Sequence, residues 1–204
     1  LTFTKGKVAL GSNTLILGTG VAAGTGNNAI GALVYTSGGF VSGTFSRWWA
    51  NTATGTALTA GSQPTAALGR YPFISGTGIN RAAYVQRVTP TAGGQIACKY
   101  VDAATTSASS ISDSGYVLDS KYDGNWTFST PGTVPVSATY NIALIGQNAY
   151  LASNGNSRII RETAAVEGTH LNGTNLPMGQ RTGLTLAQLT QSPLYIGLAF
   201  ADTP

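Results

Sequence analysis

The chain has 204 residues, a length that fits one large β-domain or two small ones. Only 9% of the residues are charged, against roughly 25% in an ordinary soluble domain, and Gly, Thr, Ser, Ala and Asn take their place. The net charge of +4 comes from eleven Lys and Arg scattered between Lys5 and Arg181, without the patch or stripe that a polyanion binder concentrates, so nucleic acid is excluded as a partner. No apolar run approaches the roughly 18 residues of a membrane span, which excludes helical membrane insertion.

In chain order the apolar runs are short, β-branched or aromatic, and bounded by Gly, Asn, Ser or Pro, which predicts strands and almost no helix. The first are expected at 1–10 and 14–17, separated by Gly11-Ser-Asn13, and each ends in Leu-Gly. A glycine-rich stretch, 18–28, follows them. This opening reads either as two rungs of a solenoid-like edge or as a detachable strand on a supple connector. Its apolar residues Leu1, Phe3, Val8, Leu10, Leu15 and Leu17 are the candidates for an assembly strand.

Further strands are expected at 30–35, 40–49, 71–74, 82–88, 95–101, 116–122, 126–129, 138–145, 158–160 and 194–200. Asp123-Gly124 is expected to close a hairpin between 116–122 and 126–129, and Asn154-Gly-Asn156 another turn. Thr185 caps one or two helical turns, with Leu184, Leu186 and Leu189 on one face. The pattern predicts an all-β fold, an antiparallel β-sandwich of jelly-roll type. The N-terminal strand is free to be exchanged between subunits. Two divisions of the chain stand: a segment 1–45 with a body 46–204, or a single β-domain 1–204.

Candidate chemistry is sparse. The seven carboxylates offer no paired motif, and Asp113, Asp119 and Asp123 sit where turns are expected. His170 is the only histidine, without a nucleophile elbow or further ligands to build a zinc site. Asp119, Asp123 and Asn125 are the best oxygen ligands for calcium, with Lys121 among them and no closing Glu. Gly38-Gly39 and Gly93-Gly94 lack the Gly-Lys-Ser/Thr of a phosphate loop and read as turns or bulges, so no cofactor is expected. Cys98 alternates with Ile96 and Tyr100 on one face and reads as a small buried apolar residue. No enzyme is expected.

The aromatic group is richer. Adjacent Trp48 and Trp49 on one strand must point to opposite faces, so one belongs to the core and the other lies near a surface. Trp48, Trp49 and Tyr71 are candidates for stacking on a polysaccharide or for covering by a neighbouring subunit.

Several segments resemble the secreted surface proteins of Bacteroidota exported by the type IX system: 3–18, Ser42-Gly-Thr-Phe-Ser-Arg-Trp-Trp49, Ala67-Leu-Gly-Arg-Tyr-Pro-Phe73, Gly155-Asn-Ser-Arg-Ile-Ile-Arg161 and Pro193-Leu-Tyr-Ile-Gly197. The resemblance implies extracellular display and a β architecture, and a chain starting at Leu1 would then be the processed form. Low charge points the same way. The expectation is an extracellular structural subunit that self-assembles at the cell surface into a homopolymer by strand addition. Its rival is a glycan-binding adhesin module.

Overall fold

The computed structural model describes residues 1–18, 30–113, 115–146, 157–171, 178–191 and 193–199. Along them run β1 (Thr2–Phe3), β2 (Lys7–Leu17), β3 (Val34–Tyr35), β4 (Gly39–Trp49), β5 (Arg70–Tyr71), β6 (Ala83–Ala92), β7 (Gly94–Val101), β8 (Thr106–Asp113), β9 (Tyr116–Ser129), β10 (Val136–Ile145), β11 (Ser157–Ile160), β12 (Thr169–His170), β13 (Met178–Leu184), a short helix α1 (Leu186–Thr190) and β14 (Leu194–Leu198). The expected all-β sandwich is what forms. One sheet has the order β12-β13-β10-β6-β5, the other β11-β14-β9-β7-β4-β2 with β8 added beside β9. Within both, every pairing is antiparallel except that of β2 with β4.

Period-two alternation places the core between the sheets. Ala83 and Val85 of β6 with Tyr140, Ile142 and Leu144 of β10 face Phe45 of β4, Ile96, Cys98 and Tyr100 of β7, and Trp126 and Phe128 of β9. Tyr71 meets Phe128 edge to face at 6.0 Å, and the Trp126 indole N–H donates across the gap to the Arg81 carbonyl at 2.9 Å. Residues of opposite parity, Tyr84, Ala143 and Ile145, form a second cluster on the outer face, covered by Leu58 from the loop after β4. The chain passes from one sheet to the other between β6 and β7, at Gly93-Gly94, where a side chain on Gly94 would strike Pro135 and Thr133.

The helix behaves as its sequence dictates. Thr185 Oγ1 accepts from the Gln188 backbone N–H at 3.2 Å and Gln188 Oε1 accepts from the Thr185 N–H at 2.8 Å, a reciprocal cap that fixes the first turn. Its Leu189 is buried.

Two expectations are corrected. Residues 116–129 are one strand, not a hairpin, and the turn lies before Tyr116, between β8 and β9. Along β9 the partner changes: 116–122 pair with β8 and 125–129 with β7. Gly124 sits at that change because a Cβ there would overlap the Tyr122 ring and stand 2.8 Å from the Tyr100 hydroxyl. Gly is required by close approach rather than by turning. Likewise Gly11-Ser-Asn13 does not separate two rungs, since 7–9 and 14–17 both lie along β4 and belong to one strand. The division after residue 45 falls inside β4. The turn expected at 154–156 lies outside the described residues.

Candidate functional site

The N-terminal strand is the most unusual element. β2 runs parallel to β4, from Lys7 opposite Gly39 to Leu17 opposite Arg47, and it ends the seven-stranded sheet. Between Ala9 and Thr14 four residues face Gly43 alone. The bulge is closed locally, the Asn13 amide donating to the Leu10 carbonyl at 2.9 Å and the Gly11 N–H to Ser42 Oγ at 3.2 Å. Gly43, at φ +88°, leaves room for the Leu10 side chain, into which a Cβ would collide.

Of the candidate assembly residues, Leu10, Leu15 and Leu17 are half-buried against the main core, and Phe3 is buried with its ring edge-on to Phe40 at 5.0 Å. Leu1 and Val8 are exposed, as is Ile16, so β2 is apolar on both faces and covered on one. Among the described residues no strand pairs with its outer edge.

The two ends of the connector meet. A Cβ on Gly18 would stand 3.3 Å from Gly31 Cα, and one on Gly31 would overlap the Leu17 carbonyl. Gly31 is fixed to the body by its own N–H, which donates to the Trp48 carbonyl at 2.7 Å. Residues 19–29 therefore link two points already in contact, although a chain of that length can reach roughly 35–40 Å when extended.

The aromatic candidates separate. Trp49 and Tyr71 are fully buried, the Trp49 N–H donating to the Tyr71 hydroxyl at 3.2 Å and that hydroxyl to the Ile96 carbonyl at 2.9 Å. Burial pushes the Tyr71 phenol well above its ordinary range. Neither has surface to offer a sugar, which corrects their place among the glycan candidates. Trp48 is half-buried, and among the described residues its indole N–H has no acceptor.

The calcium candidates do not converge. Asp119, Asp123 and Asn125 share β9, where Asp119 and Asp123 stand four extended residues, roughly 13 Å, apart, too far for one ion. The Asp123 carboxylate instead accepts from Ser107 and Thr105 hydroxyls, both at 2.6 Å, which hold its pKa below the usual carboxylate value. Among the described residues no three His, Cys, Asp or Glu are grouped to hold a metal.

Other carboxylates are held by cations: Asp113 by Arg181 at 2.6 Å, Glu167 by Arg161 at 2.7 Å, and Glu162 by Lys121. His170 is half-buried; burial first, then the Arg158 charge, lowers its pKa to about 4. Cys98 is a buried free thiol whose pKa burial raises.

Where the positive charge goes has no local signature in the chain. All seven arginines are buried, and Arg47, Arg70, Arg81 and Arg87 make no ion pair with a described carboxylate. Arg47 donates to the carbonyls of Ile30, Gly31, Ala67 and Arg70, and Arg87 to those of Ala50, Ala53, Ala92 and Val136 and to Ser137 Oγ. These guanidiniums act as multidentate staples, tying together carbonyls from strands and from the segments between them.

No family model, curated protein or solved structure matches the chain.

Proposed function

We propose that the protein is an extracellular structural subunit that polymerises at the cell surface by lending β2 to the β4 of a neighbouring copy. The observation that carries this reading is the mismatch between the length of the connector and the distance it spans, since residues 19–29 join Gly18 and Gly31, which already touch. A strand on so long a tether can leave its own subunit and reach the equivalent groove of the next. Leu10, Leu15 and Leu17 then fill the same half-buried positions, and the backbone ladder with β4 is remade with identical partners. The exchange is close to neutral per contact, so concentration decides it; a transfer that is not reciprocated leaves an acceptor open and extends a chain of subunits.

Scarce charge and the resemblance to surface-displayed Bacteroidota proteins support the exterior location. Thr14 and Thr44 are register partners across β2 and β4. A Thr14→Cys/Thr44→Cys variant, assembled and then oxidised, is expected to give a ladder of covalent oligomers on a non-reducing gel. Oxidised monomers alone, recovered from assembled material, would refute strand donation. If the material never assembles, the polymer reading fails with it.

A further inference from the structure

Arg70 differs from the other buried arginines. It is 4% exposed, and its guanidinium carbon lies 3.7 Å from the centre of the Tyr35 ring and 5.3 Å from that of Tyr84. Nη1 donates to the Tyr84 hydroxyl, Nη2 has only a long contact of 3.4 Å with Asn80 Oδ1, and Nε is buried without an acceptor among the described residues. Arg47, Arg81 and Arg87 use donors on backbone carbonyls; among the described residues Arg70 makes no such bond. Among the described residues it also has no carboxylate within ion-pair distance. A buried cation with unused donors is costly to keep, and the cost falls when an anion completes the site.

Beside it is a cleft of about 410 Å³, lined by Tyr35, Thr36, Ser37, Thr65, Arg70 and Asn80 among others. We propose that this cleft is a binding site for a carboxylate-bearing sugar, a uronic acid residue of an acidic glycan. The Nε and Nη2 edge of the guanidinium carries only the 3.4 Å bond to Asn80 Oδ1, and its two parallel N–H groups match a planar carboxylate. One cation balances one negative charge, which suits a carboxylate better than a doubly charged phosphate. The hydroxyls of Thr36, Ser37 and Thr65 and the amide of Asn80 offer donors and acceptors for the sugar hydroxyls. Tyr35 lies over the guanidinium with its own hydroxyl anchored on the Gly38 carbonyl at 2.9 Å, and its half-buried ring forms one wall of the cleft.

Calorimetric titration of the full chain with D-glucuronate, D-glucose and sulfate at constant ionic strength tests the site. Saturable binding of glucuronate is expected, with glucose and sulfate at least tenfold weaker. Thr65→Trp, at the exposed rim, should reduce glucuronate affinity tenfold or more while leaving the circular dichroism spectrum unchanged. Arg70→Gln should do the same, and the rim variant decides the matter if Arg70→Gln does not fold. Absence of glucuronate binding, equal binding of glucose or sulfate, or an unaltered affinity in Thr65→Trp would each overturn the proposal. None of these outcomes depends on whether β2 is exchanged.

Discussion

Arg47 on β4 holds Gly31 by two bonds to one carbonyl, from Nε at 3.1 Å and from Nη2 at 2.9 Å. The same guanidinium reaches Ala67 and Arg70, so it ties the end of the connector to the loop before β5. Burial lowers its pKa to about 10, which still leaves it a cation at neutral pH. From Ile30 onward the chain is therefore fastened to its own body, whichever β4 its β2 occupies.

Removing that staple should be expensive. Arg47→Ala removes the guanidinium donors from the carbonyls of Ile30, Gly31, Ala67 and Arg70, and a loss of about 3 kcal/mol or more is expected. Urea unfolding followed by tryptophan fluorescence measures it. A loss under about 0.5 kcal/mol would mean that water or neighbouring groups take over those carbonyls.

Gly43→Ala places a Cβ against Leu10 Cβ and 2.9 Å from the Asn13 carbonyl, at a φ of +88° that disfavours side chains. A penalty of about 1–3 kcal/mol is expected, concentrated on the docking of β2. Trypsin should then cleave faster after Lys7 while the body stays resistant. Gly183→Ala, at φ +78° with nothing within 4 Å, is the control and should cost only the backbone strain, about 1 kcal/mol.

At Gly124 the strain is steric. Alanine would press on the Tyr122 ring and on the Tyr100 hydroxyl, which shares a 2.9 Å bond with the Tyr122 hydroxyl. A loss of about 2 kcal/mol in chemical denaturation is expected. Wild-type stability in this variant would show that β9 can straighten at its change of partner.

His170 gives the fold a pH dependence. Its folded pKa of about 4 is below the ordinary value of 6.5, so the unfolded chain takes up the proton first as pH falls. Its contribution is intact above about pH 6.5 and is lost progressively down to about pH 4. Hydroxyl bonds to Asp123 and cation bonds to Glu162 and Glu167 depress those carboxyls, and their contribution starts to be lost as pH falls through the ordinary carboxylate range and goes on being lost below it. His170→Asn should flatten stability between about pH 6.5 and 4.5, measured by thermal unfolding across that window. An unchanged slope would assign the acid sensitivity elsewhere.

Local pattern alone was enough for much of the architecture. The alternation of Ile96, Cys98 and Tyr100 located β7 and its buried face, Thr185 marked the helix cap, and adjacent tryptophans required opposite faces. The strand β8 escaped notice because its serine-rich sequence carries one buried apolar residue, Ile111, and β13 because its buried positions are rich in Gly, Gln and Arg. Asp123-Gly124 looked like a turn because backbone preference says where a chain can bend, not which neighbour crowds it.

Side-chain alternation is a property of neighbouring residues, so the commitment of this chain to strands is written along it and can be read there. Distant partners set the rest: that Trp49 rather than Trp48 is the core indole, that β2 lies parallel on β4, and that every arginine is buried. A guanidinium can leave water only where several carbonyls or rings from remote segments converge on it, and no short stretch of sequence records that convergence.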